Sequence, residues 1–327
     1  MFSGEASRPS GGENSLATRA AWLSFIGGLT QDEIASRLSM SRVKVNRLIA
    51  QAHRDGLIRV FIEGTPQECV TLEDRLCRMF GLSGCFVAPM LDEGERPLPV
   101  ETLAVAGARV LHNALETGQA RIIGVGHGRT LAAMADRLPR QPRDGVRFVS
   151  LLGSLTRNAA ANPFDVIHRL CERTGAESYF LPVPFFADTG EDKAVLMAQR
   201  SVRHALDLGR QADLVIAGLG EVASGSFLVK TGMITVEELD ELHRLGAVGE
   251  ILGRFFDAKG RLVDAEINAR AIAIDLADLQ GKEVVILAGG KSKPQAIRSI
   301  LSTGLVTRLV TDEATAHAVI EAAPQGN

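Results

Sequence analysis

Residues 121–138, RIIGVGHGRTLAAMADRL, read as one strand, one glycine-rich turn and one helix. An apolar strand run, RIIGVG, meets GHGRT at residues 126–130 and passes straight into LAAMADRL. The same order recurs along the chain. Strand-like runs are expected at GCFVAP (84–89), VRFVSLL (146–152), ESYFLPVP (177–184), DLVIAGLG (213–220), EVVILAGG (283–290) and RLVTDE (308–313). Between them lie helical stretches such as VETLAVAGARVLHNAL (100–115), NPFDVIHRLCERTGA (162–176), KAVLMAQRSVRHALDLGRQA (193–212) and PQAIRSILSTG (294–304). Strands that are nearly continuous in Val, Ile and Leu and alternate with helices predict a mainly parallel sheet covered on both faces, a doubly wound α/β domain. In such sheets a ligand binds beyond the carboxyl ends of the strands, so the residues following each strand are the ones to interrogate.

Three of those ends carry suitable chemistry. Gly126 to Thr130 precede a helix, where glycines let backbone approach a ligand and free N–H groups favour an oxyanion or hydroxyl oxygen. The loop is neither a Walker loop nor a dinucleotide fingerprint, because Leu131 stands where the last glycine of the fingerprint would be. After EVVILAGG, Lys293 adds a positive charge at the mouth of another helix. EVASGS, residues 221–226, is a third small-residue loop. Each turn could serve only to close a strand-to-helix connection; their convergence favours a ligand site. Within GAVGEILGRFFDAKG (246–260), expected to be helix-like, Glu250 needs a hydroxyl or cation partner unless it reaches the surface, and Asp257 is a second acid.

A different pattern precedes this body. MFSGEASRPSGG lacks apolar periodicity, and residues 1–14 are expected to form a flexible arm. Residues 15–62 then read as three helices and a short strand, LIRVFIEG, leading into the domain of residues 63–327. A first helix from Leu16 stops at Gly27-Gly28. Thr30 followed by Glu33 is a capping box for a second helix, and Ser41 can cap a third, RVKVNRLIAQAHRDG. Helix, short turn and helix, with the small Ala35 at their crossing, fit a helix-turn-helix. Its second helix would offer Ser41, Arg42, Lys44, Asn46 and Arg47 to the major groove, with Thr30 and Gln31 on the backbone. The alternative is a three-helix bundle used for dimerisation.

Charge supports the division. Residues 1–62 hold 8 Lys/Arg against 5 Asp/Glu, net +3, whereas the remaining 265 hold 28 against 34, net −6. At 327 residues, 46% hydrophobic and 23% charged, the composition excludes disordered and fibrous chains. The apolar stretch Ala20–Gln31 is too short to span a membrane and no signal-peptide pattern precedes it, so a cytoplasmic protein without membrane association is expected. The four cysteines form no C-x-x-C pair and have no His at ligand spacing, so neither a metal nor a disulfide framework is expected, and no cofactor.

Six ordered motifs carry a resemblance over nearly the whole chain: LTQDEIASRLSMSRVKVNRLI, GVGHGRTLAAMA, ADLVIAGLG, GAVGEILGRFFDAKG, LAGGKSKPQAI and LVTDEATA. In these the chain resembles the SorC family of sugar-responsive transcriptional regulators. The resemblance implies a helix-turn-helix joined to an effector domain related in fold to ribose-5-phosphate isomerase and glucosamine-6-phosphate deaminase, without catalysis. It also implies homo-oligomers, dimers or tetramers, that bind double-stranded operator DNA and respond to a sugar, polyol or sugar phosphate. Carried over by motif, the effector loop falls on Gly126, His127, Gly128, Arg129 and Thr130, the acid on Glu250 and the lysine on Lys293, with Asp257 and Lys230 as weaker transfers. Many members have Trp where this chain has His127. GHGRT followed by SLLGSLTRNAAANPFDVIHR looks like the branch controlling polyol operons such as that for erythritol. The fold relationship leaves a rival open, a phosphosugar isomerase or deaminase in which Glu250 and Lys293 supply base and electrophile; a structural oligomerisation protein would leave the three loops unexplained.

Overall fold

A computed structural model describes residues 11–55, 57–58, 66–89, 99–154 and 165–322. The chain separates into two compact units, Met1–Gly64 and Thr65–Asn327.

In the first unit, α1 (Gly11–Ala21) runs into a wider π-type turn (Trp22–Ile26), followed by α2 (Gln31–Arg37) and α3 (Arg42–Arg54). Helix α1 thus begins inside the stretch expected to be an arm, of which residues 1–10 lie outside the described residues. The strand expected at LIRVFIEG also falls largely outside them. The capping box of α2 is formed: Thr30 N donates to Glu33 Oε2 at 2.7 Å, and Thr30 Oγ1 accepts from Glu33 N at 3.4 Å. Ser41 Oγ accepts from Lys44 N at 3.3 Å and caps α3. Ala17, Ala20, Ile34, Ala35, Val45, Leu48 and Ala52 form the core of this unit, which places the helical apolar positions of all three helices on one interior.

Among its described residues the second unit has ten strands: β1 (Gly84–Ala88), β2 (Ile122–Val125), β3 (Arg147–Ser154), β4 (Glu177–Pro184), β5 (Leu214–Gly218), β6 (Gly220–Glu221), β7 (Ala247–Ile251), β8 (Arg254–Asp257), β9 (Glu283–Leu287) and β10 (Arg308–Asp312). Seven of them form a wholly parallel sheet in the order β1-β10-β9-β5-β2-β3-β4. These are the seven runs expected from the sequence. Successive residues alternate between two cores: Leu214 and Ile216 join Ile123, Phe148 and Val285 on one face, while Val215 and Ala217 join Leu151, Val284 and Ile286 on the other. Helices α5 (Pro99–Thr117), α6 (Arg129–Arg137) and α7 (Val166–Thr174) cover the first face. Helices α4 (Gln67–Phe80), α9 (Arg200–Arg210), α11 (Val236–Arg244), α13 (Pro294–Leu301) and α14 (Glu313–Glu321) cover the second, with the shorter α8 (Gly190–Met197), α10 (Phe227–Lys230) and α12 (Glu266–Arg270) in the connections.

Two expectations are corrected. Residues 193–212 do not form one helix: Gln199 is extended (φ −62, ψ 138) and separates α8, which buries no residue, from α9, which buries Val202, Ala205, Leu206 and Leu208. Residues 246–260 are not helical either; β6, β7 and β8 form a three-stranded antiparallel sheet. Burial along β7 alternates residue by residue, the period of a strand, and Leu252 (φ 49) and Gly253 (φ 78) make the tight turn to β8. Positive φ at both central residues matches the twist of a hairpin, and only Leu252 bears the strain of a side chain there.

Candidate functional site

Strand order reverses at β2, which has β3 on one side and β5 on the other. Sheet physics places a crevice beyond the carboxyl ends at such a point, and a cleft with a cavity volume of ≈ 160 Å³ lies there. Its walls are Gly126–Leu131 after β2, Gly218–Glu221 after β5, Leu287–Gly289 after β9, and Ser226–Leu228, Glu250, Leu252 and Lys293. The three glycine-rich loops therefore meet, together with all of Gly126, His127, Gly128, Arg129, Thr130, Glu250 and Lys293.

Lys293 precedes Pro294, the first residue of α13. Its ammonium pairs with the Glu221 carboxylate and donates to Leu219 O at 2.6 Å. The loop that carries it is fixed from below: Gly290 N donates to Asp312 Oδ2 at 3.0 Å and to Thr315 Oγ1 at 2.8 Å, and Thr315 Oγ1 donates to Asp312 Oδ2 at 2.7 Å. The TDEAT segment after β10 thus shapes the lysine loop from outside the cleft.

Glu250 sits in the middle of β7 opposite Gly220 of β6, and its Oε1 accepts from Gly253 N in the β7–β8 turn. Burial pushes its pKa up to about 7, against the opposing pull of the Gly253 N–H and of Lys293. His127 is depressed to about 4 by burial, partly offset by the Asp165 carboxylate, and is neutral at pH 7. Its Nε2 lies 2.9 Å from Ser150 Oγ. Because the Ser150 hydroxyl proton goes to Leu152 O at 2.8 Å, that oxygen accepts and His127 Nε2 carries the hydrogen.

The first turn of α6 has no side-chain cap: its N-cap residue is Gly128 (φ 123), and Gly128 to Leu131 belong to the cleft wall. Ser226, 4% exposed, is a residue of the cleft wall, and its buried hydroxyl has no hydrogen-bond partner among the described residues. Two expected residues stand apart from these. Asp257 is occupied in the turn after β8, where it pairs with Arg261 at 2.7 Å and accepts from the N–H groups of Lys259 and Arg261. Lys230 is exposed at the end of α10 and does not line the cleft. Glu221 and Ser226, both in the loop singled out as EVASGS, are polar residues of the cleft wall that the sequence reading did not name individually; the cue was a carboxylate and a hydroxyl among small residues at a strand end.

On the N-terminal unit, Ser41, Arg42, Lys44, Asn46 and Arg47 are exposed on one side of α3, and Val45 and Leu48 are buried on the other. Arg42 is 3.3 Å from Asp32 of α2, an exposed pair. Val43 is 79% exposed among these polar residues and was not anticipated. Thr30 is exposed and Gln31 partly so at the start of α2.

Comparison with known proteins agrees with this arrangement. Residues 65–321 match the family whose description reads "Putative sugar-binding domain". The erythritol catabolism regulatory protein EryD of Brucella abortus (strain 2308) is 48% identical over 308 residues, covering 94% of this chain and 97% of that protein. The transcriptional regulator LsrR of Escherichia coli (strain SMS-3-5 / SECEC) is 32% identical over 317 residues, covering 94% and 95%. Among solved structures, the full-length sorbitol operon regulator SorC from Klebsiella pneumoniae superimposes with a TM-score of 0.72 at 25% identity, covering 94% of this chain and 98% of that one. A DeoR family transcriptional regulator from Listeria monocytogenes gives a TM-score of 0.70 at 26% identity, covering 77% and 99%. The chain belongs to the sugar-binding-domain family and is a transcriptional regulator of the SorC kind.

Proposed function

We propose that this protein is the repressor of a polyol catabolic operon, and that a small polyol or related sugar bound in the cleft controls its affinity for operator DNA. The observation that carries the reading is the cleft itself, where the uncapped start of α6 and the Glu221–Lys293–Glu250 charges converge at the switch point. The similarity to an erythritol catabolism regulator supports the polyol class.

In this reading α3 enters the major groove. Arg42, Asn46 and Arg47 reach base edges, Lys44 and Ser41 reach phosphates, and Thr30 and Gln31 touch the backbone from α2. The exposed Val43 suits the methyl group of a thymine. The protein acts in the cytoplasm as a homo-oligomer, a dimer or tetramer, whose recognition helices engage half-sites about 34 Å apart or a multiple of it. The cleft binds without turnover: Lys293 is already engaged by Glu221 and a carbonyl, which opposes a role as free electrophile.

The test is duplex selection by the full-length protein from a random pool, followed by binding of the selected duplex with and without erythritol. A polyol-dependent change in affinity supports the reading. Conversion of a sugar phosphate by the purified protein, without selective DNA binding, would favour the isomerase alternative.

A further inference from the structure

Among the described residues four charged side chains line the cleft, Arg129, Glu221, Glu250 and Lys293. Arg129 is exposed at the first residue of α6, so the interior charge is set by the other three. The side chains of Lys293 and Glu221 are 17% and 16% exposed and compensate one another. Glu250 adds a second carboxylate beside them. The interior is therefore neutral when Glu250 holds its proton and anionic when it does not.

The rest of the described lining is uncharged: the neutral His127 ring, the small residues of the glycine-rich loops and the uncapped start of α6. A hydroxyl suits this lining. It donates to a carboxylate oxygen and accepts from an N–H. A phosphate ester brings about 1.5 to 2 negative charges at pH 7 and little or nothing to donate to Glu221 or Glu250. The open end of α6 would favour that anion, and the carboxylate that opposes it is Glu221, held where an anionic ligand group would otherwise meet Lys293.

We propose that Glu221 sets the charge selectivity of this cleft: by holding Lys293 it makes the site a receptor for an uncharged polyhydroxy ligand and closes it to phosphate esters. The inference rests on the effector-binding reading given above, and adds to it the chemical class of the ligand and the residue that enforces it.

The experiment is a thermal-shift and titration-calorimetry series on the full chain and on the Glu221→Gln and Glu221→Ser variants. The probes are free polyols of three to six carbons, their monophosphate esters and inorganic phosphate. The wild-type protein is expected to bind a free polyol at least about tenfold more tightly than its ester, and Glu221→Gln to narrow or reverse that ratio by about tenfold through gained ester affinity. A wild-type protein that binds the ester as well as or better than the polyol overturns the proposal, and this comparison decides even if both variants fail to fold. Polyol binding with the same discrimination in the folded variants overturns the role of Glu221 and leaves the effector reading standing. Absence of any response by the wild-type protein to either set overturns both.

Discussion

Gly220 and Glu250 face one another across the antiparallel β6–β7 ladder, and a methyl group at Gly220 would lie 2.6 Å from Glu250 Oε2. The absence of a side chain at 220 is what lets the carboxyl fold back over its neighbouring strand. Gly220→Ala is expected to displace Glu250 and to destabilise the fold by about 1–3 kcal/mol, the usual range for overpacking. Polyol-induced stabilisation should be lost with it. Gly225→Ala, where an added Cβ meets nothing within 4 Å, is the control and should leave both properties intact. Chemical denaturation with and without polyol reads the two effects separately.

Glu250 and His127 make opposite contributions to pH dependence. Glu250 has a raised folded-state pKa, about 7 against 4.5, so its contribution to stability is complete below pH 4.5 and is lost as pH rises through 7. His127 is lowered to about 4 from 6.5, so its contribution is complete above pH 6.5 and is lost as pH falls through 4. Each effect is about 3 kcal/mol in size, and over the shared window they nearly cancel. Glu250→Gln, left with the His127 contribution, should lose stability on acidification from pH 6.5 to 4, and His127→Gln, left with the Glu250 contribution, should gain it from pH 7 to 4.5. Urea midpoints across that range test this; parallel profiles for all three proteins would contradict it.

The N-terminal unit makes a separable prediction. Arg47→Ala should weaken binding to the selected duplex by about 1–3 kcal/mol and leave polyol affinity unchanged. Thr30→Ala removes the side chain that caps α2 and should lower the stability of that unit by about 1 kcal/mol. Arg42 is less informative alone, because its exposed pair with Asp32 must open before it reaches DNA. Fluorescence anisotropy with labelled duplex, alongside calorimetry with polyol, distinguishes these outcomes.

The central strands β2, β3, β5, β9 and β10 were legible because each is a mainly buried run rich in Val, Ile or Leu, and the half-buried edge strands β1 and β4 because aromatic and aliphatic residues cluster between glycine, proline or charged residues. The convergence of GHGRT, EVASGS and the Lys293 loop was legible for the same reason, since each follows a strand end, whereas the place of Glu250 among them came only from the resemblance of its motif. The β7–β8 hairpin was misread as helical because GAVGEILGRFFD is apolar throughout and short, and periodicity alone does not separate a strand from a buried helix there. The deciding feature is the Leu252-Gly253 turn, and Leu at a left-handed position gives no warning in sequence. Glu221 was invisible as a partner of Lys293 because 72 residues separate them, and only the β5–β9 pairing brings their loops together.

Lys293→Ala should leave duplex binding intact and abolish its response to polyol. Its ammonium belongs to the cleft of the second unit. Loss of duplex binding by the folded variant would join two functions that the account keeps distinct.

The central claim is that the cleft and the recognition helix are thermodynamically linked, and linkage is reciprocal. The decisive measurement is polyol affinity of the full-length protein by calorimetry, free and saturated with its selected duplex, beside duplex affinity with and without saturating polyol. The account predicts that both affinities change by the same factor, between about 5- and 150-fold. Polyol binding of equal strength to the free and DNA-bound protein would contradict it.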